Sequence, residues 1–496
     1  MEQLGSIVGF LENKTVLVTG ATGFVAKVLV EKILRIQPNV KKLFLLVRAK
    51  DSASAATRLY DEILSKELFA VLREKHGSDS DLSHLMSERV TVAVAGDISY
   101  QDLGITEPEL KNEMCHEIDV VVNLAATVNF DERYDVALAI NTLGPKHILD
   151  FSKKCKNLKA FIHVSTAYVC GEQPGVRTET PFKMGETLNG SFDLDIDHEF
   201  KVMQEKLKEL KESKLGERAI TAAMKDFGNQ RARIFGWPNT YVFTKAMGEM
   251  LIGKLRGDMP LAIIRPTIVT STYKEPFPGW IEGVRTIDSL AMAYGKGRME
   301  CFLGDPNSVI DLVPADMVVN SIMVAMAAHA NRPGETVYQV GSSNRNPLKY
   351  SSIPLWAHIY FSQNPWTGRD GKPVIVGKIK ISDSMENFHR YMSIRYILPL
   401  KALELANIAT CHYLEGVYST AKRKIDVVMR LVELYRPYLF FKASFDDKNT
   451  DKLRAAARNS IDSADMFHFQ FDPKTVDWED YMMNVHFPGA VKFLFK

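Results

Sequence analysis

A short apolar run, Thr15-Val16-Leu17-Val18, breaks into Thr19-Gly20-Ala21-Thr22-Gly23-Phe24-Val25-Ala26, and Phe24 to Ile36 then continues with helical spacing. This strand, glycine turn and helix constrain the fold more than any other feature of the chain. Lys42 to Arg48 supplies a second strand and completes a β-α-β unit. Further near-continuous apolar strands are expected at Val90–Val94, Val120–Leu124, Lys159–Val164 and Leu261–Ile264, with helical stretches such as Tyr134–Lys154 between them. Strands apolar on both faces belong to a parallel sheet buried by helices. The expected class is α/β, a doubly wound Rossmann-like sheet.

The chain of 496 residues is too long for one ordinary core. We expect a reductase-type domain over 12–360, a linker over 361–385 rich in turn residues, and a helical C-terminal domain over 386–496. The 75 positions from Thr166 to Tyr241 exceed what one connection needs, and His198–Lys214 and Arg218–Phe227 have helical patterning. This insertion, 172–236, reads either as a cap over a substrate site or as a solvated surface elaboration.

Lys and Arg number 62 and Asp and Glu 60, so the net charge of +2 gives no reason to expect nucleic acid. The five cysteines contain no CxxC pair and read as reduced thiols. Met1–Phe10 lacks a basic region followed by an apolar core, so no secretory signal is expected. The strand starting near Lys14 leaves no room for a plastid transit segment. No stretch reaches the roughly 20 apolar residues of a membrane span. Phe388–Leu414 could instead lie in a membrane interface, with Arg390, Arg395 and Lys401 at lipid phosphates, or pack onto the core.

The glycine turn has the form GxxGxxA. Gly20 permits the tight turn, and Gly23 lets a diphosphate approach a helix N-terminus, where free amides favour negative charge. Alone the string is weak, because such turns also serve packing. Arg48 ends the second strand where an NAD-preferring site places an acid. A guanidinium there suits a 2′-phosphate, and so NADPH, unless it is simply a surface arginine. Gly96-Asp97-Ile98 would bring Asp97 beside the adenine, and Asn123-Leu124-Ala125-Ala126 would let the nicotinamide half lie close to backbone.

Ser165 and Thr166 put hydroxyls at the end of the next strand, where Thr166 is the preferred polariser of a carbonyl. Tyr241 and Lys245 lie four apart, hence on one helix face, where a cationic lysine can lower the phenol's pKa. A YxxxK string usually means nothing. Here it follows the hydroxyl-bearing strand and precedes the strand that closes on Arg265-Pro266.

These motifs, with Arg265-Pro266-Thr267 and Asp311-Leu312-Val313-Pro314-Ala315-Asp316, resemble the extended short-chain dehydrogenase/reductases. Glu275-Pro276-Phe277-Pro278-Gly279-Trp280, Gly236-Trp237-Pro238-Asn239-Thr240 and Leu434-Tyr435-Arg436-Pro437-Tyr438 narrow the resemblance to the plant alcohol-forming fatty acyl-CoA reductases. The resemblance covers nearly the whole chain. It implies two successive NADPH-dependent reductions of a long-chain acyl-CoA, through an aldehyde, to a primary alcohol for wax, cutin or suberin. It implies catalytic roles for Tyr241, Lys245, Thr166 and Ser165. Cofactor contacts would fall to Thr19, Gly20, Thr22, Gly23, Phe24, Arg48, Asp97, Ile98, Asn123, Ala125, Tyr241, Lys245 and Pro266. No metal is expected. Asn141 could order a water that resupplies the proton, and Lys225, Arg231 and Arg233 could meet coenzyme A phosphates. The expected place is the cytosolic face of the endoplasmic reticulum, peripherally, or the cytoplasm. The competing readings are a reductase of sugar nucleotides or phenolic ketones, and a nucleotide-binding scaffold without catalysis.

Overall fold

The computed structural model describes residues 4–76, 90–368, 370–460, 462 and 465–495. Seven strands form one sheet: β1 (Thr15–Thr19), β2 (Lys42–Val47), β3 (Thr91–Ala95), β4 (Val120–Asn123), β5 (Ala160–Val164), β6 (Pro260–Pro266) and β7 (Gly334–Val340). Their order is β7-β6-β5-β4-β1-β2-β3, with every pairing parallel. The order reverses between β1 and β4, and in open α/β sheets ligands bind at the carboxyl ends of the strands at such a point. All five residues of β1 are buried, as a central strand covered on both faces requires. β7 is an edge strand that the apolar pattern does not reveal. Glu335, Thr336 and Gln339 interrupt it, and β6 flanks it on one side only.

Seven helices matter for the site. α1 (Phe24–Ile36) follows β1, and α2 (Ile196–Glu212) and α3 (Glu217–Ile234) form the long insertion. α4 (Thr240–Leu255) crosses from the insertion to β6, and α5 (Ala315–His329) crosses to β7. α6 (Leu398–Ala409) and α7 (Glu415–Leu439) make a C-terminal hairpin. The insertion is seated by its own apolar face. Met203, Leu210, Ile220 and Met224 share a core with Trp237, Phe243 and Met247. Beneath it the buried carboxylate of Glu199 accepts hydrogen bonds from Arg231 and from Tyr134 Oη (2.7 Å).

The last fifty residues do not stay with the α6–α7 hairpin. Ala443–Phe445 pairs in parallel with Gly175–Arg177, and the helix Lys448–Arg458 packs on α5 and β7. Phe469, Phe471, Trp478, Tyr481, Phe487 and Phe495 enter the same core as α1 and α5. A Cβ on Gly489 would stand 1.9 Å from the carbonyl oxygen of Gly279, so the Phe277-Pro278-Gly279-Trp280 run seats the C-terminal helix backbone to backbone. The largely exposed stretch over 361–385 touches the rest of the chain at two points: Trp366 meets Phe495 edge-on (5.0 Å), and Lys380–Ser382 pairs with Cys301–Leu303.

Candidate active site

At the switch point the chain leaves β1 through Gly20, whose φ is +65°. A side chain there is excluded twice over. The conformation is left-handed, and a Cβ would lie 2.8 Å from both Cα and N of Ala125, just past β4. Gly23 is the N-cap of α1 and offers no side-chain cap, so the first amides of a 13-residue helix remain open to an anion. Thr22 is half-exposed in the turn. Phe24 is buried and packs on Trp280 with ring centroids 5.3 Å apart.

Two residues assigned to the cofactor lie deeper than that. Thr19 and Asn123 are completely buried. Thr19 Oγ1 donates to Asn123 Oδ1 (2.6 Å) and accepts from Ala125 N (3.2 Å), while Asn123 Nδ2 donates to His163 Nδ1 (3.1 Å). Their side chains tie the ends of β1, β4 and β5 together and so shape the cradle from below. Sequence alone did not separate lining from bracing, because both kinds of residue occupy strand ends.

Arg48 is exposed just past β2, and among the described residues its guanidinium has no ion-pair partner. Asp97 follows β3; its carboxylate accepts from Ser99 N (2.9 Å), and its own N–H donates to Leu103 O (2.7 Å). Ile98 is buried against Gly144, where a Cβ would meet its Cδ1 at 2.5 Å. The structure thus gathers the glycine turn, Arg48 and Asp97 along the carboxyl edge of β1, β2 and β3.

The chemical end of the site lies across β5 and α4. Asn239 caps α4 by accepting from Val242 N (3.1 Å), which fixes Tyr241 in the first turn. Thr166 Oγ1 donates to Pro266 O (3.4 Å), accepts from Tyr168 N (3.3 Å), and acts on the nearby Tyr241 phenol by lowering its pKa. Among the described residues, Ser165 Oγ and His163 Nε2 are buried without hydrogen-bond partners. Unpaired buried polar atoms are costly. With the Gly20 cradle, they fit a site shaped for a polar ligand such as a nicotinamide cofactor.

Burial pushes the Tyr241 phenol up to about 12, against the pull of the Arg285 charge and the Thr166 hydrogen bond. Burial also lowers Lys245 to about 8, with the Glu249 carboxylate working the other way. This corrects the expectation that Lys245 brings the phenol toward neutrality. The Lys245 ammonium donates to Val164 O (2.9 Å), and the groups lowering the phenol's pKa are Arg285 and Thr166. Tyr241 therefore keeps its proton across the neutral range. His163 is held well below its ordinary value by burial and by Lys245, so it is neutral.

Above Tyr241 stands an aromatic wall. Phe130, in the loop after β4, stacks on Tyr241 (5.2 Å, 22°) and meets Tyr435 and Tyr438 at 5.2 Å each. Tyr438 also accepts from Asn239 Nδ2 (2.8 Å) and meets Tyr168 edge-on at 5.1 Å. Asp131 locks this wall, receiving Arg430 from α7 through both carboxylate oxygens and Lys225 from α3 (3.2 Å). The Tyr435–Tyr438 motif and Asn239 are visible in the sequence, but nothing there places them on Tyr241. Their role depends on how the hairpin docks.

Three other assignments change. Lys225 and Arg231 are held in ion pairs with Asp131 and Glu199. Arg233 is exposed and lines a cleft of about 820 Å³ with Glu172, Pro238, Arg436 and Pro437. Asn141 lies in a π-helical turn. Its side chain donates to Thr127 O (3.1 Å) and Thr244 Oγ1 (3.2 Å) and accepts from Thr127 N (3.0 Å). It braces the loop that carries Phe130. Among the described residues no cluster of His, Cys, Asp or Glu could hold a metal ion.

Known proteins match this arrangement over the whole chain. An NAD-binding family model described as male sterility protein matches residues 18–322, and a second of the same description matches 395–496. An alcohol-forming fatty acyl-CoA reductase of Simmondsia chinensis is 56% identical over 494 residues, covering 99% of both chains. Fatty acyl-CoA reductase 1 of Arabidopsis thaliana is 53% identical, again over 99% of both. Among solved structures, the reductase domain of a non-ribosomal peptide synthetase from Mycobacterium tuberculosis aligns with TM-score 0.55 at 18% identity, over 99% of this chain and 93% of that one. The terminal reductase domain of the myxalamid pathway aligns with TM-score 0.53 at 17% identity, over 92% and 90%. At such identities the structures establish the shared reductase fold alone. With its glycine cradle, its Tyr241–Thr166 pair and its full-length relatives, the chain belongs to the fatty acyl-CoA reductase family of male sterility proteins.

Proposed function

We propose that the protein reduces long-chain or very-long-chain acyl-CoA to the primary fatty alcohol by way of the aldehyde, with NADPH as reductant. The observation that carries this reading is the Tyr241 phenol, near Thr166 and roofed by Phe130 with Tyr435 and Tyr438. A proton donor beneath an apolar roof suits the reduction of a carbonyl on a hydrocarbon chain. Bound NADPH would supply the hydride for each reduction; the hemithioacetal from the first would break its C–S bond, giving the aldehyde and releasing coenzyme A as the thiol. Thr166 and Tyr241 would hold the substrate oxygen and stabilise the charge that develops on it. Tyr241 would pass its proton to the alkoxide, leaving a phenolate that Arg285 and Thr166 stabilise. Lys245 would meet the ribose next to the nicotinamide, and the Ser165 hydroxyl would donate to the same oxygen as Thr166.

The preference for NADPH over NADH rests on Arg48. An exposed guanidinium beside the adenosine end of the cradle pairs with a 2′-phosphate. We place the protein peripherally on the cytosolic face of the endoplasmic reticulum. All five cysteines are free, which suits a reducing compartment, and among the described residues no helix is long and apolar enough to cross a membrane. The test is to incubate the purified chain with NADPH and a panel of saturated acyl-CoAs and to identify the lipid products. Primary alcohol with two NADPH consumed per molecule is expected. Aldehyde alone would retain the site but change the reaction, and no product despite cofactor binding would overturn the reading.

A further inference from the structure

The α6–α7 hairpin docks through the C-terminal half of α7 but leaves much of its apolar surface uncovered. Of 23 exposed large hydrophobic side chains among the described residues, 10 fall between Ile394 and Leu431. They are not scattered around the helices. On α6, Leu398, Leu405 and Ile408 share one stripe, at 58%, 69% and 59% exposure. The opposite side of that helix carries Leu400, Leu403 and the buried Asn407, which face inward. On α7, Val417, Val428 and Leu431 form a second exposed stripe, and Tyr413 at the tip is 87% exposed. Within Phe388–Leu414, Phe388 and Met392 pack with Leu303, whereas α6 leaves its stripe uncovered.

We infer that this hairpin is a docking surface for a lipid bilayer bearing anionic headgroups. Charge complementarity selects that occupant. The stretch 394–431 holds six Lys and Arg against three Asp and Glu, and with Arg430 paired to Asp131 five cations remain for headgroups, in a chain whose total charge is only +2. Lys401 and Lys424 rise within the apolar stripes themselves, Arg395 and Arg423 flank them, and Lys422 adds charge to the same hairpin, all exposed. Apolar stripes threaded with long basic side chains suit a helix lying in an interface, where each lysine keeps its charge at the phosphates while its stem stays among the acyl chains. An exposed aromatic at the tip fits the same level of the bilayer.

Continuity with the catalytic site gives the surface its purpose and rests on the acyl-thioester reading. α7 carries the exposed stripe along its length and ends with Tyr435 and Tyr438 against Phe130, over Tyr241. Arg430 fixes that end to Asp131. One rigid helix therefore links the lipid-facing surface to the roof of the reaction centre, so that substrate and product chains need not cross open water.

The experiment is sedimentation of the full chain with extruded vesicles, of phosphatidylcholine alone or with phosphatidylserine added, without substrate or cofactor. The wild-type chain is expected in the pellet with anionic vesicles, and less so at high salt. Leu398→Ser, Leu405→Ser and Ile408→Ser combined should lower the partition coefficient at least about tenfold on both vesicle types. Lys422→Glu, Arg423→Glu and Lys424→Glu combined should remove only the enhancement by phosphatidylserine. These side chains are exposed, and an unchanged melting temperature would show that each variant folds. A wild-type chain that stays in the supernatant with both vesicle types, or a serine variant that binds as well as wild type, would overturn the inference. Self-association lost in the serine variant, without vesicle binding, would assign the face to a second copy and would equally overturn it. Binding by a chain that reduces no acyl-CoA would leave the docking surface standing while removing the proposed reaction.

Discussion

Glu249 offers the sharpest test of how the site is supported from below. It lies one turn after Lys245 on α4 and, like Arg265 at the end of β6, is almost wholly buried. Arg265 Nε donates to both carboxylate oxygens at 3.2 Å and Nη2 to one at 2.6 Å. Its remaining donor reaches Thr180 O (3.2 Å) and Cys170 Sγ (3.5 Å). Glu249→Gln keeps the shape and one acceptor but leaves a guanidinium buried without a counter-charge. Breaking a buried pair costs about 3–5 kcal/mol, and the retained amide oxygen places this variant near the lower bound. Three kcal/mol is about a hundredfold in the folding equilibrium.

The same change should reach the chemistry. The Glu249 carboxylate raises the Lys245 pKa against a burial effect that brings it down to about 8. Without it, Lys245 loses its proton at lower pH. The basic limb of kcat/KM for the cofactor, which reports groups of the free enzyme, should move to lower pH. Thermal unfolding followed by circular dichroism, with a pH–rate series on the folded protein, measures both effects. A lower melting temperature with an unmoved basic limb would confine Glu249 to a structural role. Unchanged values for both would refute the reasoning.

Two further outcomes are expected. Tyr241→Phe removes the proton donor while leaving the aromatic stack on Phe130, so reduction of both thioester and aldehyde should fall by about two to four orders of magnitude. NADPH binding, read by fluorescence titration, should persist, and a variant that reduced aldehyde at the parent rate would remove Tyr241 as the donor. Arg48→Glu should weaken NADPH far more than NADH, by about tenfold or more for a lost charge-assisted contact to phosphate; equal losses for both cofactors would take Arg48 away from the 2′-phosphate.

The order of elements was legible in the sequence because a parallel strand buried on both faces must be apolar throughout. β1, β2, β4 and β5 each have that signature, and the glycine turn stands where a strand gives way to a helix. The Tyr241–Lys245 spacing was equally plain, since four residues return to one face of a helix. β7 was not legible, because an edge strand tolerates the polar residues that mask its pattern. Neither was the burial of Thr19 and Asn123, because a strand-end position does not say whether a side chain points at ligand or at its neighbour strand.

What the sequence by itself determined is therefore local and periodic: strand, turn, helix, and the chemical groups at their ends. The tertiary structure alone decided what surrounds the Tyr241 phenol, with Phe130 stacked on it and the Arg285 charge acting on it. It also decided that Lys245 turns to Val164 rather than to the phenol. The aromatic roof joins residue 130 to residues 435 and 438, and the terminal fifty residues return to the reductase core while the hairpin before them stays exposed. Contacts across 300 residues arise from shape and desolvation summed over many side chains, and no spacing along the chain encodes them.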